Sequence, residues 1–376
     1  MKLNINTVFK ISSIILVMII IVYILYKHFA PEEINSPNVI AQYIKENKNL
    51  SPVSFVIKRN DEILVSINAN EPMPLASTFK LILAVEYANQ VAENIIDPNA
   101  QININTLDAY HLPNTDGGAH VNWLNYIKDN NIVQDDTVPL QEVVRGMIMF
   151  SSNANSDFLM NYLGLDNINQ TIKDMGLKGH GEIYPIVGAV ALADYMKYKT
   201  NLTDEQIEEI LLNMSSQEYI DATLEVHELM NKNELPATVK EAEVVLNNLD
   251  MQKIWSDRFI FATANDYIRL LEMINSKTYF DAVAQKELNY VLEYLDIAPI
   301  IQEKLNHFGF KNGSTAWVLT DARYSEDKEN NKIEIVLMLN DLKPAQYNKI
   351  LSNLDLFMMD CILNTDFRAN VINFLS

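Results

Sequence analysis

Apolar residues recur along this chain with two different periods. Short runs rich in Val, Ile, Leu and Phe lie near its two ends, at 54–57, 63–67, 315–324 and 332–339. Runs of that length between polar turns predict β-strands, and Arg59-Asn60-Asp61-Glu62 predicts a hairpin between the first two. In the middle of the chain the period is helical. One helix is expected after Ser77, another over 140–163, and an almost wholly helical stretch over 190–275. Capping boxes stand at Thr203…Gln206, Ser215…Glu218 and Thr238…Glu241, with an Asp-closed version at Thr263…Asp266. Residues 345–363 predict a closing helix. The Asn-, Asp- and Gly-rich residues 97–122, centred on Thr115-Asp116-Gly117-Gly118-Ala119-His120, predict a long loop. There His120 and Trp123 suit either loop packing or a substrate site. Strands at both ends with helices between predict an α+β fold: one antiparallel sheet made from the N- and C-terminal segments beside a helical subdomain.

The first 30 residues follow a third pattern. Residues 11–26 are apolar except for Ser12 and Ser13, with Lys2 and Lys10 before them and Lys27 and His28 after. That core spans about 24 Å at 1.5 Å per residue, and Val8, Phe9 and Phe29 extend it towards bilayer thickness. His28-Phe29-Ala30 puts histidine where a cleavage site needs a small residue, and no cysteine offers a lipid attachment point. An uncleaved transmembrane helix is expected, with the Lys-bearing stub inside and the rest of the chain extracytoplasmic. The expected organisation is a stub and anchor at 1–30, a tether at 31–49 and a catalytic domain at 50–376. Within that domain the sheet draws on 50–75 and 305–376, and the helical subdomain spans 76–304 with an insert at about 190–257.

Composition narrows the chemistry. A formal net charge of −20 argues against a nucleic-acid partner. Cys361 is the only cysteine, which excludes an intrachain disulfide, and the six histidines show no ligand-like spacing, so neither metal nor cofactor is expected. The candidate nucleophile is Ser77 in Ser77-Thr78-Phe79-Lys80, where a Pro-punctuated loop runs into the apolar segment Leu81-Ile82-Leu83-Ala84-Val85. Lys80, three residues on, lies on the same helical face, and in apolar surroundings it can accept the serine proton. A second Ser-x-x-Lys, Ser325-Glu326-Asp327-Lys328, sits in a charged run and reads as a solvated hairpin turn. Ser151-Ser152-Asn153 places a hydroxyl and a carboxamide within one helical turn. Lys311-Asn312-Gly313-Ser314 opens a strand segment with a glycine that permits close approach of a ligand or another backbone.

With these three motifs in this order the chain resembles the serine β-lactamase and penicillin-binding-protein superfamily, class A most closely. The resemblance covers about 50–185 and 258–376 and extends to the flanks, Asn68 to Ala76 before the nucleophile and Met147-Ile148-Met149-Phe150 before Ser151. It implies that Ser77 is acylated, that Lys80 takes or relays its proton, and that Ser151 passes a proton to the leaving nitrogen. It further implies that Asn153 binds the substrate amide, that Lys311 favours the substrate carboxylate, and that the N–H groups of Ser77 and Ser314 form the oxyanion hole. Asn312 stands where the family has Thr or Ser, and the motifs are spaced more widely than in class A. The family's Glu-x-x-x-Asn loop has its nearest match in Glu182 to Ile186, with isoleucine in place of asparagine. Glu182 therefore reads as either the deacylating base or an exposed loop carboxylate. The implied function is a membrane-anchored serine hydrolase acting on a β-lactam or a peptidoglycan-derived amide. A D-Ala-D-Ala carboxypeptidase or esterase, and a slowly deacylating sensor, are the alternatives.

Overall fold

The computed structural model describes residues 38–49, 52–293 and 299–376. The expected anchor and the first part of the tether lie outside them. Strands β1 (Val53–Arg59), β2 (Glu62–Ile67), β7 (Leu305–Ser314), β8 (Leu319–Asp327) and β9 (Lys332–Leu339) form one sheet in the order β2-β1-β9-β8-β7. Every neighbouring pair is antiparallel, and β1 from one end of the chain lies against β9 from the other, with Val56 opposite Val336. Two small ribbons lie outside it: β3 (Met73–Pro74) pairs with β6 (Phe261–Ala262), and β4 (Gln101–Asn103) with β5 (Thr137–Pro139).

The central strands are apolar on both faces because both are covered. Phe55, Ile57, Ile335 and Leu337 belong to one core, and Val56, Val336 and Met338 to the other, the alternation that a pleated strand imposes. The first core is closed by α1 (Asn38–Asn47) and by the last two helices, α16 (Pro344–Leu363) and α17 (Thr365–Leu375). Residues 38–47 were expected within the tether. They form a helix because Ile40, Ala41 and Ile44 share one face and bury it completely or nearly so, chiefly against α16 and α17.

The other core is the helical side. It holds α2 (Lys80–Ala92), α3 (Ala119–Asp129), α4 (Leu140–Met149), α5 (Asn153–Leu163) and α6 (Leu165–Asp174). Next come α7 (Ile186–Thr200), α8 (Asp204–Asn213), α9 (Ser216–Asn231), α10 (Ala237–Lys240), α11 (Glu243–Asn247) and α12 (Leu249–Asp257). The set ends with α13 (Ala264–Asn275) and α14 (Ala282–Leu292), whereas α15 (Pro299–Lys304) leads into β7 and packs its Ile301 against the first core. Among the described residues no helix is long and apolar enough to cross a membrane. Three of the four expected capping boxes form, at Thr203, Ser215 and Thr263. Thr238 does not cap, because Pro236 occupies the cap position and α10 has already begun at Ala237.

Four further differences matter. Residues 97–122 are not one loop: they carry β4, the 3₁₀ helix Ile104–Tyr110 and the start of α3. The expected helix over 140–163 is two, α4 and α5, broken at Ser151. Lys311 does not open a strand; β7 begins at Leu305, and 311–314 are its last four residues. Ser325 is not in a solvated turn but buried in β8, where its carbonyl accepts from Asn275 Nδ2 at 3.1 Å.

That last contact belongs to a buried polar cluster between the sheet and α13. Asn275 Nδ2 also donates to Glu334 Oε1 at 2.5 Å, and His307 Nε2 lies 2.6 Å from Asn275 Oδ1. Glu334 is 2% exposed, and its second carboxylate oxygen has no partner. Burial pushes its carboxyl up to about 7, against the bond from Asn275. A carboxyl whose pKa is raised by folding contributes stability that is complete below its unfolded value of 4.5 and is lost as pH rises through about 7. Glu334→Gln should therefore match the wild type in denaturant unfolding below pH 4.5 and exceed it above pH 7, by on the order of 3 kcal/mol. A difference that does not change with pH would refute the assignment.

Candidate active site

Ser77 lies in a 3₁₀ turn, Ala76–Phe79, that feeds α2. Side chains three apart eclipse in such a turn, so Ser77 and Lys80 stand on one side. The turn is anchored at Leu75, whose N–H donates to the Ile260 carbonyl at 2.9 Å. Its own carbonyl accepts from the hydroxyls of Thr78 and Thr320, each at 2.7 Å. Ala76, directly before Ser77, is held at φ +43°, a left-handed conformation that costs an L-residue about 1–2 kcal/mol. The bonds at Leu75 brace that strain.

The second motif marks the break between α4 and α5. Ser151 has φ +65°, the left-handed residue that ends many helices, and the Ser152 hydroxyl caps α5 by accepting from Asn155 N. Behind this elbow His120 Nδ1 lies 3.1 Å from Ser152 Oγ and 3.3 Å from Asn155 Oδ1. His120 and Trp123 are each 1% exposed. Burial, with His111 close by, pushes the imidazole down to about 4 and keeps it neutral. Of the two readings open to His120 and Trp123, their placement fits packing beneath the elbow.

Two lysines converge on Ser151. Lys80 Nζ donates to the Ser151 carbonyl at 2.7 Å and to Asn153 Oδ1 at 2.8 Å. Lys311 Nζ donates to Ser151 Oγ at 3.0 Å and to the Asn312 carbonyl at 2.8 Å. Lys80 is wholly buried and Lys311 is 2% exposed. Burial pushes Lys80 well below its ordinary range; the Lys311 charge adds to that, and Asp116 and Asp157 oppose it. Lys311 is pushed down to about 7 by burial, against the pull of Asp321. A buried amine in this state can hold a proton briefly and give it up, the property required of a base beside an alkoxide.

Strand alternation places Lys311 and Gly313 inward, while Asn312 and Ser314 are exposed. Strand β7 is the edge of the sheet, so no further strand pairs with its outer side. Gly313 is required by close approach: a Cβ there would stand 2.4 Å from the Ser77 nitrogen and 2.8 Å from the Leu75 carbonyl oxygen. The structure thus brings Ser77, Lys80, Ser151, Asn153, Lys311 and Gly313 together.

Glu182 is exposed, next to buried Ile183 and Tyr184, and Ile186 is buried in the first turn of α7. Asn169 holds this loop, accepting from Ile183 N at 2.8 Å and donating to its carbonyl at 2.9 Å. Two carboxylates to which sequence reasoning gave no role bear on Lys80 instead. Asp157 is wholly buried and accepts from Ile186 N at 3.2 Å and Val187 N at 2.9 Å, tying α5 to the start of α7. Its position four residues after Asn153, on the same helical face, was the available signal. Asp116 accepts from Gly118 N at 3.0 Å and His120 N at 2.9 Å, and nothing in its local sequence pointed at Lys80. Among the described residues no cluster of His, Cys, Asp and Glu is arranged to hold a metal ion.

A two-ended antiparallel sheet with a Ser-x-x-Lys turn, a Ser-x-Asn elbow and a Lys-x-Gly edge strand around one point defines a serine acyl hydrolase of the penicillin-recognising class. The model of the β-lactamase enzyme family matches residues 37–341, and the chain belongs to that family, as a serine hydrolase of class A β-lactamase type. Solved structures agree on the fold. A β-lactamase from Chitinophaga pinensis DSM 2588 is 15% identical, with a TM-score of 0.51, covering 86% of this chain and 99% of that one. A β-lactamase from Sphaerobacter thermophilus DSM 20745 is 14% identical, with a TM-score of 0.52 over 86% and 95% of the two chains. The TLA-3 extended-spectrum β-lactamase is 14% identical, with a TM-score of 0.52 over 87% and 98%. At these identities the likeness concerns the fold. No curated protein sequence matches the chain.

The close seating of Gly313 gives a direct test of the geometry. Gly313→Ala should push β7 away from the Ser77 turn and slow acylation by a β-lactam about 100-fold, the usual effect of a misplacement near 1 Å. The unfolding midpoint should fall as well, because the added methyl meets backbone atoms and β7 cannot shift without disturbing the bond from Lys311 to Ser151. Unchanged acylation kinetics would mean that the strand does not set the position of Ser77.

Proposed function

We propose that this chain is a membrane-anchored, extracytoplasmic hydrolase in which Ser77 forms an acyl-enzyme with a β-lactam or a related amide. The observation that carries the reading is the pair of buried lysines meeting at Ser151, Lys80 one turn after Ser77 and Lys311 on the strand whose Gly313 abuts Ser77. Lys80, its charge disfavoured by burial, takes the proton from Ser77 Oγ as that oxygen bonds to the substrate carbonyl carbon. As the C–N bond breaks, Ser151 gives its proton to the leaving nitrogen and is reprotonated through the lysines on either side. Lys311 supplies positive charge for a substrate carboxylate, Asn153 holds the substrate amide, and the N–H groups of Ser77 and Ser314 receive the oxyanion. Asn312, exposed on the outer side of β7, contributes to the rim of the substrate groove.

Hydrolysis of the acyl-enzyme needs a second base set against water, worth about 10²- to 10⁴-fold. Exposed Glu182, with buried Ile186 where a carboxamide would orient it, supports slow deacylation. That favours a D-Ala-D-Ala carboxypeptidase or a slowly released β-lactam adduct over rapid β-lactam turnover. The membrane reading rests on residues 8–29 of the sequence, and a mature N-terminus near Pro31 in the soluble fraction would overturn it.

Intact-protein mass after addition of a β-lactam tests the chemistry. The wild type should gain one adduct in a burst and lose it slowly, and Ser77→Ala should gain none. Glu182→Gln should alter the slow phase only modestly. Labelling that survives Ser77→Ala would sink the reading. Turnover at hundreds per second that Glu182→Gln abolishes would instead make Glu182 the hydrolytic base.

A further inference from the structure

A cavity of about 570 Å³ opens between the end of the β1–β2 hairpin and one face of α17. Arg59 and Arg368 line it, together with Thr365, Ala369 and Ile372 from the helix. Arg368 is 6% exposed. Its Nη1 donates to the carbonyls of Cys361 at 2.8 Å and Ile362 at 2.9 Å, and its Nη2 to Thr365 Oγ1 at 3.3 Å. Arg59 is half-buried, and its Nε is shut off from water without a hydrogen-bond partner. Among the described residues neither guanidinium is in an ion pair. This is unusual in a chain with 49 acidic residues against 29 basic ones.

The electrostatics of the pair are unfavourable as it stands. Burial lowers the Arg368 pKa and the Arg59 charge lowers it further, against the opposing pull of Cys361 and Asp327, so each cation raises the free energy of the other. Asp61 and Glu62 also line the cavity, but both are exposed, where water and salt screen them. Two guanidiniums on the wall of one cavity, with room there for a ligand, are the complement of an oxyanion. Guanidinium forks match phosphate oxygens in pairs, which an ammonium cannot do. We infer that this cavity, on the far side of the sheet from the Ser77 site, binds a phosphate group between Arg59 and Arg368.

The position of the cavity bears on where the phosphate comes from. Lys45 Nζ donates to the Phe374 carbonyl and Lys48 Nζ to the Leu375 carbonyl, so the end of α1 meets the end of α17. The start of α1 therefore points towards the start of α17 and the Arg59 end of β1. Eight residues, 30–37, separate Phe29 from Asn38 and can reach at most about 28 Å. If the apolar run lies in a bilayer, the arginine cavity is within reach of lipid headgroups. This lipid arm alone rests on the membrane reading, and the phosphate site stands without it.

The experiment uses the full chain. In detergent, the unfolding midpoint is followed against inorganic phosphate, with chloride at equal ionic strength as control. In phosphatidylcholine vesicles it is followed with and without phosphatidylglycerol. The wild type should gain thermal stability with phosphate, with phosphatidylglycerol, or with both. Arg59→Gln, which leaves the helix contacts of Arg368 in place, should weaken that response about tenfold, the loss expected for one charged hydrogen bond. Ser77 labelling in that variant should remain at the wild-type rate, which separates this site from the catalytic one and from misfolding. A response to free phosphate identifies a soluble ligand, and a response to phosphatidylglycerol alone identifies a headgroup. No response in either medium, or an equal response in Arg59→Gln, overturns the proposal.

Discussion

Two lysine side chains withdrawn from water around one serine are the constraint on which the rest of the site depends. A buried amine must have oxygen partners, and Lys80 and Lys311 find theirs on Ser151, Asn153 and Asn312. Three of those four bonds join three separate pieces of backbone: the turn that opens α2, the elbow between α4 and α5, and the last residues of β7. None of the three could move away without stranding a donor in the interior. The cost of burying two like charges is reduced by lowering their proton affinity, and that reduction is what fits an amine to act as a base.

The supports for this arrangement lie outside the motifs. Ala76 and Ser151 both sit in left-handed backbone, and both are clamped, the first through Leu75 and its two threonine hydroxyls, the second by the lysines. Strain of this kind persists only where the surroundings over-determine it. The helical insert adds a second brace. Asp157 reaches from α5 to the first N–H groups of α7, and His227 Nδ1 from α9 lies 3.7 Å from the same carboxylate. Ser256, at the other end of the insert, touches Thr315 Oγ1 at 2.6 Å, directly after the edge strand. The insert therefore grips the site at the α5 side and at the β7 end.

The three-layer build explains why such different surfaces coexist in one domain. The sheet isolates the catalytic face from the α1–α16–α17 face, where Arg59 and Arg368 line one cavity. Glu334, in the polar cluster beneath α13, marks the point where the helical layer keeps a titrating group inside the fold. Among the described residues these three regions share the sheet as their common wall, and each uses a different edge or face of it.

Much of this was legible in the residue pattern. Alternation and helical period placed the hairpin, the two-ended sheet and most helices, because those signals are local and set by backbone geometry. The three motifs identified the chemistry, because a serine and lysine one turn apart carry their relation within four residues. The pattern could not show the break at Ser151, since a left-handed residue inside a helical period leaves no trace without glycine. It could not show that residues 38–47 pack as a helix, because their partner face is made by residues more than 300 positions away. It offered Glu182 as a possible base, whereas only the folded chain sets the carboxylates of Asp116 and Asp157 around Lys80 and leaves Glu182 in solvent. Chemistry held within a turn is written in the sequence; chemistry that depends on burial and on distant partners exists only once the layers close.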